Sequence, residues 1–104
     1  MTMTVVVTRN VAPRFRGFLA SAMLEIAPGV YTAPSMTAGV RDRVWEVLAE
    51  WFTAGPTTGG HPEDVASVVM TWRDKTAEGG QRIITLGVPA KTLVEADGIV
   101  LAVR

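Results

Sequence analysis

The chain has 104 residues, which is enough for one domain and leaves no room for a separate catalytic module. Apolar residues make up 48% and charged residues 19%, with a net charge of +0, so a sizeable core is available and association of copies is favoured. Cysteine is absent and His61 is the one histidine, which excludes disulfide scaffolds, thiolate zinc sites, cysteine nucleophiles and a histidine-rich metal site within one chain. No run approaches the ~20 apolar residues of a membrane helix and no basic signal-peptide start is present, so a cytoplasmic protein is expected.

The first third of the chain predicts a strand followed by an amphipathic helix. Met3–Thr8 is a β-branched run typical of a buried strand. Pro13 suits a first helical turn, and apolar residues recur at helical spacing across 15–26. Pro28-Gly29 is predicted to end this helix.

The rest of the chain predicts one more helix and four more strands. A short strand at Val30–Thr32, broken by residues 33–35, precedes a helix from about Thr37 to Phe52. Residues 54–64 are rich in turn formers and predict a loop that holds the solvated His61. The later strands are predicted at Val65–Trp72 and Arg82–Leu86, as a hairpin, and at Ile99–Val103.

The predicted order β-α-β-α-β-β-β indicates a single α+β domain over residues 1–104. Two helices interleaved with strands favour a ferredoxin-like two-layer sandwich, an antiparallel sheet with both helices on one face. The other sheet face then carries valines and lacks a cover. A second copy is the simplest cover, which predicts a sheet-to-sheet homodimer.

Charge is unevenly distributed along the chain. Residues 1–43 carry a net charge of +3 and residues 44–80 a net charge of −4. Arg14 and Arg16 fall at the start of the first helix, where amide donors and the positive dipole end favour a phosphate. At this point two interpretations stay open, phosphate binding by this pair or arginines held in surface salt bridges.

Acidic residues do not assemble into a persuasive catalytic site. Asp42, Glu46 and Glu50 lie on one face of the second predicted helix, which we interpret as its solvated outward face. Serine and threonine have no candidate base nearby, and Gly59-Gly60 lacks the spacing and lysine of a phosphate loop. The pattern favours binding over catalysis.

Five segments carry a resemblance to a known family, and they cover nearly the whole chain in order. They are VVVTRNVAPRFRGFLASAMLEIAPGVY, RDRVWEVL, VVMTW, TLG and EADGIVLAV. Together they resemble the small subunit of CRISPR adaptation, "Cas two", in its type I-E form. The resemblance implies a ferredoxin-like homodimer that bridges dimers of the adaptation integrase and holds duplex prespacer DNA during spacer insertion.

The same resemblance implies roles for particular residues. Duplex DNA would contact Arg14, Arg16 and Arg41, and also Lys91, which is the one charge retained of a basic pair in the family. The integrase would dock on the final strand. That strand comprises Ile99, Val100, Leu101, Ala102 and Val103.

One position departs from the family pattern. Arg9 stands where many members carry an acid that binds a divalent metal for phosphodiester cleavage, and an arginine repels such an ion. We therefore expect no catalytic residue, no metal and no cofactor. Magnesium is required only under the alternative of a metal-dependent endonuclease acting on RNA or DNA, and a third hypothesis is a domain that binds another protein through its open sheet.

Overall fold

The computed structural model describes residues 2–54 and 66–87 with their side chains, and the backbone of residues 92–96 and 99–103. The described helices are α1 (Pro13–Ala22) and α2 (Ala38–Ala54). The described strands are β1 (Thr2–Arg9), β2 (Leu24–Ala27), β3 (Val30–Met36), β4 (Ser67–Arg73), β5 (Gln81–Leu86), β6 (Thr92–Ala96) and β7 (Ile99–Val103). A 3₁₀ turn at Glu78–Gly80 joins β4 to β5, which confirms the predicted hairpin.

Five strands form one antiparallel sheet in the order β2-β3-β1-β4-β5, and β6 pairs with β7 in a separate hairpin. Each helix connects two strands that run parallel with one strand between them, β1 to β2 through α1 and β3 to β4 through α2. This arrangement confirms the predicted ferredoxin-like α+β sandwich, with β5 added at one edge.

Alternate side chains of the central strands form the core beneath the helices. Val6 lies directly opposite Tyr31 on β3 and Met70 on β4, so these three side chains share one sheet face. All three are fully buried against Phe15 and Leu19 of α1, together with the buried face of α2. Both helices therefore cover the same face of the sheet.

The other face of the sheet, which we call the open face, exposes apolar side chains in the described part of the chain. Val7 stands at its centre between Val30 and Val69 and is 41% exposed. Leu24 on the edge strand β2 is 66% exposed. Apolar surface on one face of a small protein makes that face a candidate interaction surface.

Helix α1 is shorter than the sequence predicts. It ends at Ala22 because Met23 adopts an extended backbone, and the next four residues form β2, paired with β3. The helical spacing of Met23 and Ile26 had placed both residues in the helix. Pairing with β3 through the turn at residues 28–29 overrides this local pattern.

Strand β3 is longer than predicted and runs through Pro34. Between the pairs Thr4↔Ala33 and Thr2↔Met36, β3 uses one residue more than β1. Pro34 sits in this bulge, where the missing N–H of proline removes no regular ladder bond. The predicted break at residues 33–35 is therefore a bulge within one strand.

The C-terminal part adds a strand that the sequence did not indicate. Thr92–Ala96 forms β6 and pairs with β7, which occupies the predicted Ile99–Val103. The predicted loop with His61 lies outside the described residues apart from Ala54. No helix in the described ranges is long and apolar enough to span a membrane.

Candidate nucleic-acid interface

Arg14 is held in place by the C-terminal end of α2. Its guanidinium lies over the Trp51 ring, with the carbon Cζ 5.1 Å from the ring centroid, and its Nη2 donates to the Trp51 carbonyl at 3.3 Å. That carbonyl belongs to the last turn of α2, whose oxygens have no partner within the helix. Arg14 therefore caps the negative end of α2 and remains an exposed residue.

An aromatic cluster fixes the position of Trp51 itself. The Trp51 ring packs in edge-to-face geometry against Phe15 and Phe18. The ring centroids are 5.7 Å apart for Phe15 and 5.4 Å apart for Phe18. Phe15 is fully buried in the core. The guanidinium of Arg14 is thus anchored to the contact between the two helices.

Arg16 is held by an ion pair, which is one of the two interpretations that the sequence left open for this residue. Its Nη2 lies 3.2 Å from Glu25 Oε2, and the two side chains are 54% and 31% exposed. The same carboxylate oxygen accepts the Gly29 N–H at 3.1 Å. Glu25 therefore joins the first helix to the turn between β2 and β3.

The Tyr31 hydroxyl is buried beside this pair, without a hydrogen bond of good geometry to either partner. The Gly29 N–H, then the nearby Tyr31 hydroxyl and Arg16, hold the pKa of Glu25 below its ordinary value. The Tyr31 hydroxyl and Glu25 raise the pKa of Arg16, and burial raises the pKa of Tyr31. Both members of the ion pair are stabilised in their charged forms.

The lowered pKa of Glu25 predicts an acid-dependent stability. A carboxylate with a depressed folded-state pKa contributes fully above its ordinary value of 4.5, and the contribution is lost as pH falls through the folded-state pKa. We expect Glu25→Gln to lower the free energy of unfolding at pH 6–7 and the difference from the parent protein to shrink below pH 4.5. Urea unfolding across that range measures it. Glu50→Gln, an exposed carboxylate on α2, is the matched control, and equal pH profiles for the two variants would contradict the assignment.

Arg41 lies near the other end of α2. Its Cζ stands 4.1 Å from the centroid of Trp72 on β4, and its Nε is buried with no hydrogen-bond partner among the described residues. Ten residues separate Arg41 from Trp51, which corresponds to about 15 Å of helical rise. The structure therefore brings Arg14 and Arg16 to one end of the molecule and leaves Arg41 at the other.

The remaining predicted contacts lie partly or wholly beyond the described side chains. Lys91 is outside the described residues. The final strand is present as β7, paired with β6, and only its backbone is described for Ile99, Val100, Leu101, Ala102 and Val103. Their roles in binding DNA and a partner stay predictions.

An open cleft of about 360 Å³ lies where β1 passes into α1. Its walls are residues 8–11, Arg16 and residues 28–29. Asn10 turns the chain here with a φ of 56°, in the left-handed region that asparagine tolerates. The Gly29 carbonyl accepts hydrogen bonds from the Thr8 N–H at 2.7 Å and from Thr8 Oγ1 at 3.1 Å, which closes the floor of the cleft.

Gly29 is required at this floor for two reasons. Its φ is 78°, which side chains with a Cβ rarely adopt, and an added Cβ would stand 2.7 Å from the Thr8 carbonyl oxygen. Because Gly29 and Thr8 approach so closely, Gly29, whose N–H binds Glu25, lies next to the end of β1.

The cleft does not fit a divalent cation. None of its lining residues is a carboxylate, and two of them, Arg9 and Arg16, are cationic. A hard cation such as Mg²⁺ prefers several oxygen ligands, carboxylates above all. In the described parts of the chain, no three histidine, cysteine or acidic side chains come together to hold a metal.

Sequence reasoning found the arginines and missed the residues that hold them. Trp51 falls within the second predicted helix, and nothing in its spacing indicates the stacking on Arg14. Glu25 falls within residues 15–26, whose spacing predicts a helix, whereas the structure places it in β2. An earlier helix end, signalled only by the pairing of β2 with β3, would have brought Glu25 to the turn.

A comparison with protein-family models gives one match that covers most of the chain. Residues 3–101 match the family described as CRISPR-associated protein (Cas_Cas2CT1978). The matched range includes the start of α1, the cleft and the open face.

Proposed function

Because the chain belongs to the CRISPR-associated protein (Cas_Cas2CT1978) family, we propose that it is a homodimeric DNA-binding scaffold of spacer acquisition, of the type I-E form. In this role it bridges integrase dimers and holds duplex prespacer DNA. The observation that carries the proposal is the basic start of α1, where Arg14 and Arg16 are both exposed and both anchored.

Anchoring matters because a held guanidinium loses less conformational entropy when it meets a phosphate. Arg14 uses one donor on the Trp51 carbonyl, and a guanidinium carries five N–H donors in a fixed fork. The stacking on Trp51 holds the plane of that fork. The first turn of α1 contains no acidic residue, so its positive dipole end adds to the attraction.

The open face supports the homodimer. Val7, Leu24 and their neighbours present apolar side chains in a chain whose net charge is +0, and a second copy offers the same complementary surface. Two sheets that stack face to face lie about 10 Å apart and bury such faces between them. A dimer formed in this way carries two basic helix starts on one particle.

The endonuclease alternative finds little support at the cleft. Arg9 and Arg16 line it without a carboxylate, so the described residues supply no ligand set for a catalytic metal there. Incubation with Mg²⁺ or Mn²⁺ and duplex DNA or RNA tests this alternative directly. Cleavage that persists through purification and is lost in a variant of an acidic residue would favour the nuclease.

The salt dependence of duplex binding tests the scaffold. Two copies supplying Arg14, Arg16 and Lys91, with Arg41 as a further contact, give about six to eight phosphate contacts and a log–log salt slope of roughly −5 to −7. Affinity is expected to be equal for duplexes of different sequence, since backbone contacts carry no base information. A slope near −1 would contradict the proposal. Association with the integrase, and its loss when residues 99–103 are altered, tests the bridging role.

A further inference from the structure

We propose that the cleft between β1 and α1 binds a phosphate group through the guanidinium of Arg9. This inference deepens the proposed function and rests on it, since a duplex held along the start of α1 is the nearest source of such a phosphate. It assigns a ligand to Arg9, a residue that the proposed DNA contacts of Arg14 and Arg16 do not include.

Arg9 differs from most of the arginines in the described part of the chain. Arg16, Arg43 and Arg82 each pair with a carboxylate, and Arg14 and Arg41 stack on tryptophans. Arg9 and Arg73 are both exposed and make no ion pair within the described ranges, and of these two Arg9 lines the cleft. Arg9 lies on the open face at the last position of β1, so in a sheet-to-sheet dimer its charge would lie at the edge of the contact, beside the cleft.

The residues that line the cleft suit an anion. Arg16 is neutralised by Glu25, which lies outside the lining, so the cleft itself carries positive charge and no acidic group. A phosphate in the cleft would meet the Arg9 fork, with Arg16 also in the lining.

The size of the cleft and its access to solvent suit a phosphate. A volume of about 360 Å³ lies at the lower end of ligand pockets, which run from ~300 to ~1,000 Å³. The cleft is open to solvent, so a phosphate that remains attached to a polymer can enter without a conformational change. This geometry suits a phosphodiester as well as a free phosphate.

Two measurements on the full chain distinguish these sources. Inorganic phosphate is titrated into ¹⁵N-labelled protein, and the amide signals of Asn10, Val11 and Gly29 are followed. Duplex binding is then measured from 0.05 to 0.5 M salt. The variants are Arg9→Gln, Arg9→Lys and the matched control Arg73→Gln, whose arginine lies on the same sheet face at the far end of β4.

We expect phosphate to shift the three amide signals in the parent protein and in Arg73→Gln, and to leave them unmoved in Arg9→Gln. For a dimer that uses both clefts, Arg9→Gln is expected to make the salt slope shallower by about two units and to weaken duplex binding by roughly 50-fold at 0.1 M salt. Arg9→Lys retains the slope and loses part of the affinity, because an ammonium keeps the charge without the bidentate fork.

Each outcome assigns the cleft differently. Shifts together with a shallower slope support a backbone phosphate, and shifts with an unchanged slope support a free phosphate at the same site. If phosphate does not shift these amide signals in the parent protein, the inference is overturned, even where the duplex still binds through Arg14 and Arg16. Failure of the parent protein to bind any duplex, with the phosphate shifts intact, overturns the proposed function and leaves the cleft assignment standing.

Discussion

Replacing Arg14 and Arg16 together by alanine is expected to weaken duplex DNA binding by roughly 1,000-fold at 0.1 M salt. In the proposed dimer this change would remove four phosphate contacts, so the log–log salt slope should become shallower by about three to four units. Fluorescence anisotropy with one duplex over a series of salt concentrations measures both quantities. The loss should be the same for unrelated duplex sequences, because the contacts reach only the backbone.

A control with the same change of charge separates this effect from general electrostatics. Arg43→Ala with Arg82→Ala also removes two exposed arginines per chain, both of them ion-paired and both away from the start of α1. This control is expected to change the slope by less than about one unit per chain, which is less than about two units per dimer, against about three to four units for the Arg14/Arg16 variant. Because Arg14 stacks on Trp51, thermal unfolding of both double variants must be compared first. A folded Arg14/Arg16 variant that binds DNA as tightly as the parent would refute the assignment of the basic start of α1.

Val7→Asp is expected to convert the proposed homodimer into a monomer, raising its dissociation constant at least 100-fold, about 2.7 kcal/mol. Val7 is the centre of the open face, and dimerisation would remove the new carboxylate from water between two apolar surfaces. Within one chain Val7 is already 41% exposed, so the fold itself should survive the substitution. Sedimentation velocity over a range of protein concentrations measures the change.

Val40→Asp is the matched control for this substitution. Val40 is a valine of similar exposure, 49%, on α2 and away from the open face. An aspartate in the first turn of a helix is favoured by the dipole, so no loss of stability is expected. Dimers that persist in Val7→Asp, or that dissociate equally in both variants, would show that the open face is not the contact.

The elements whose patterns agree with their tertiary surroundings could be predicted from the sequence. The β-branched run of β1 and the apolar stripe of α2 each match one period and one buried face, so both were placed close to their observed ends. The region from Met23 to Ala27 could not be placed, because its apolar spacing fits a helix and its observed strand depends on hydrogen bonds to β3. Local periodicity carries no information on that distant partner.

The candidate site shows the same division. Arg14 and Arg16 follow from their position at a helix start, which is local information. The residues that hold them come from other segments. Trp51, which holds Arg14, lies 37 residues further along the chain, and Glu25, which holds Arg16, lies in β2, where the sequence predicts a helix. The cleft at Arg9 depends on the close approach of Gly29 to Thr8, which no spacing within either segment predicts.

The turn at residues 28–29 has a consequence for how chains of this family can vary in length. The Gly29 carbonyl accepts hydrogen bonds from Thr8, and the Gly29 N–H donates to Glu25. One inserted residue in the turn would break both attachments at once. Homologues are therefore expected to keep this two-residue connection at constant length and to accept insertions in connections whose backbone is not tied at both ends.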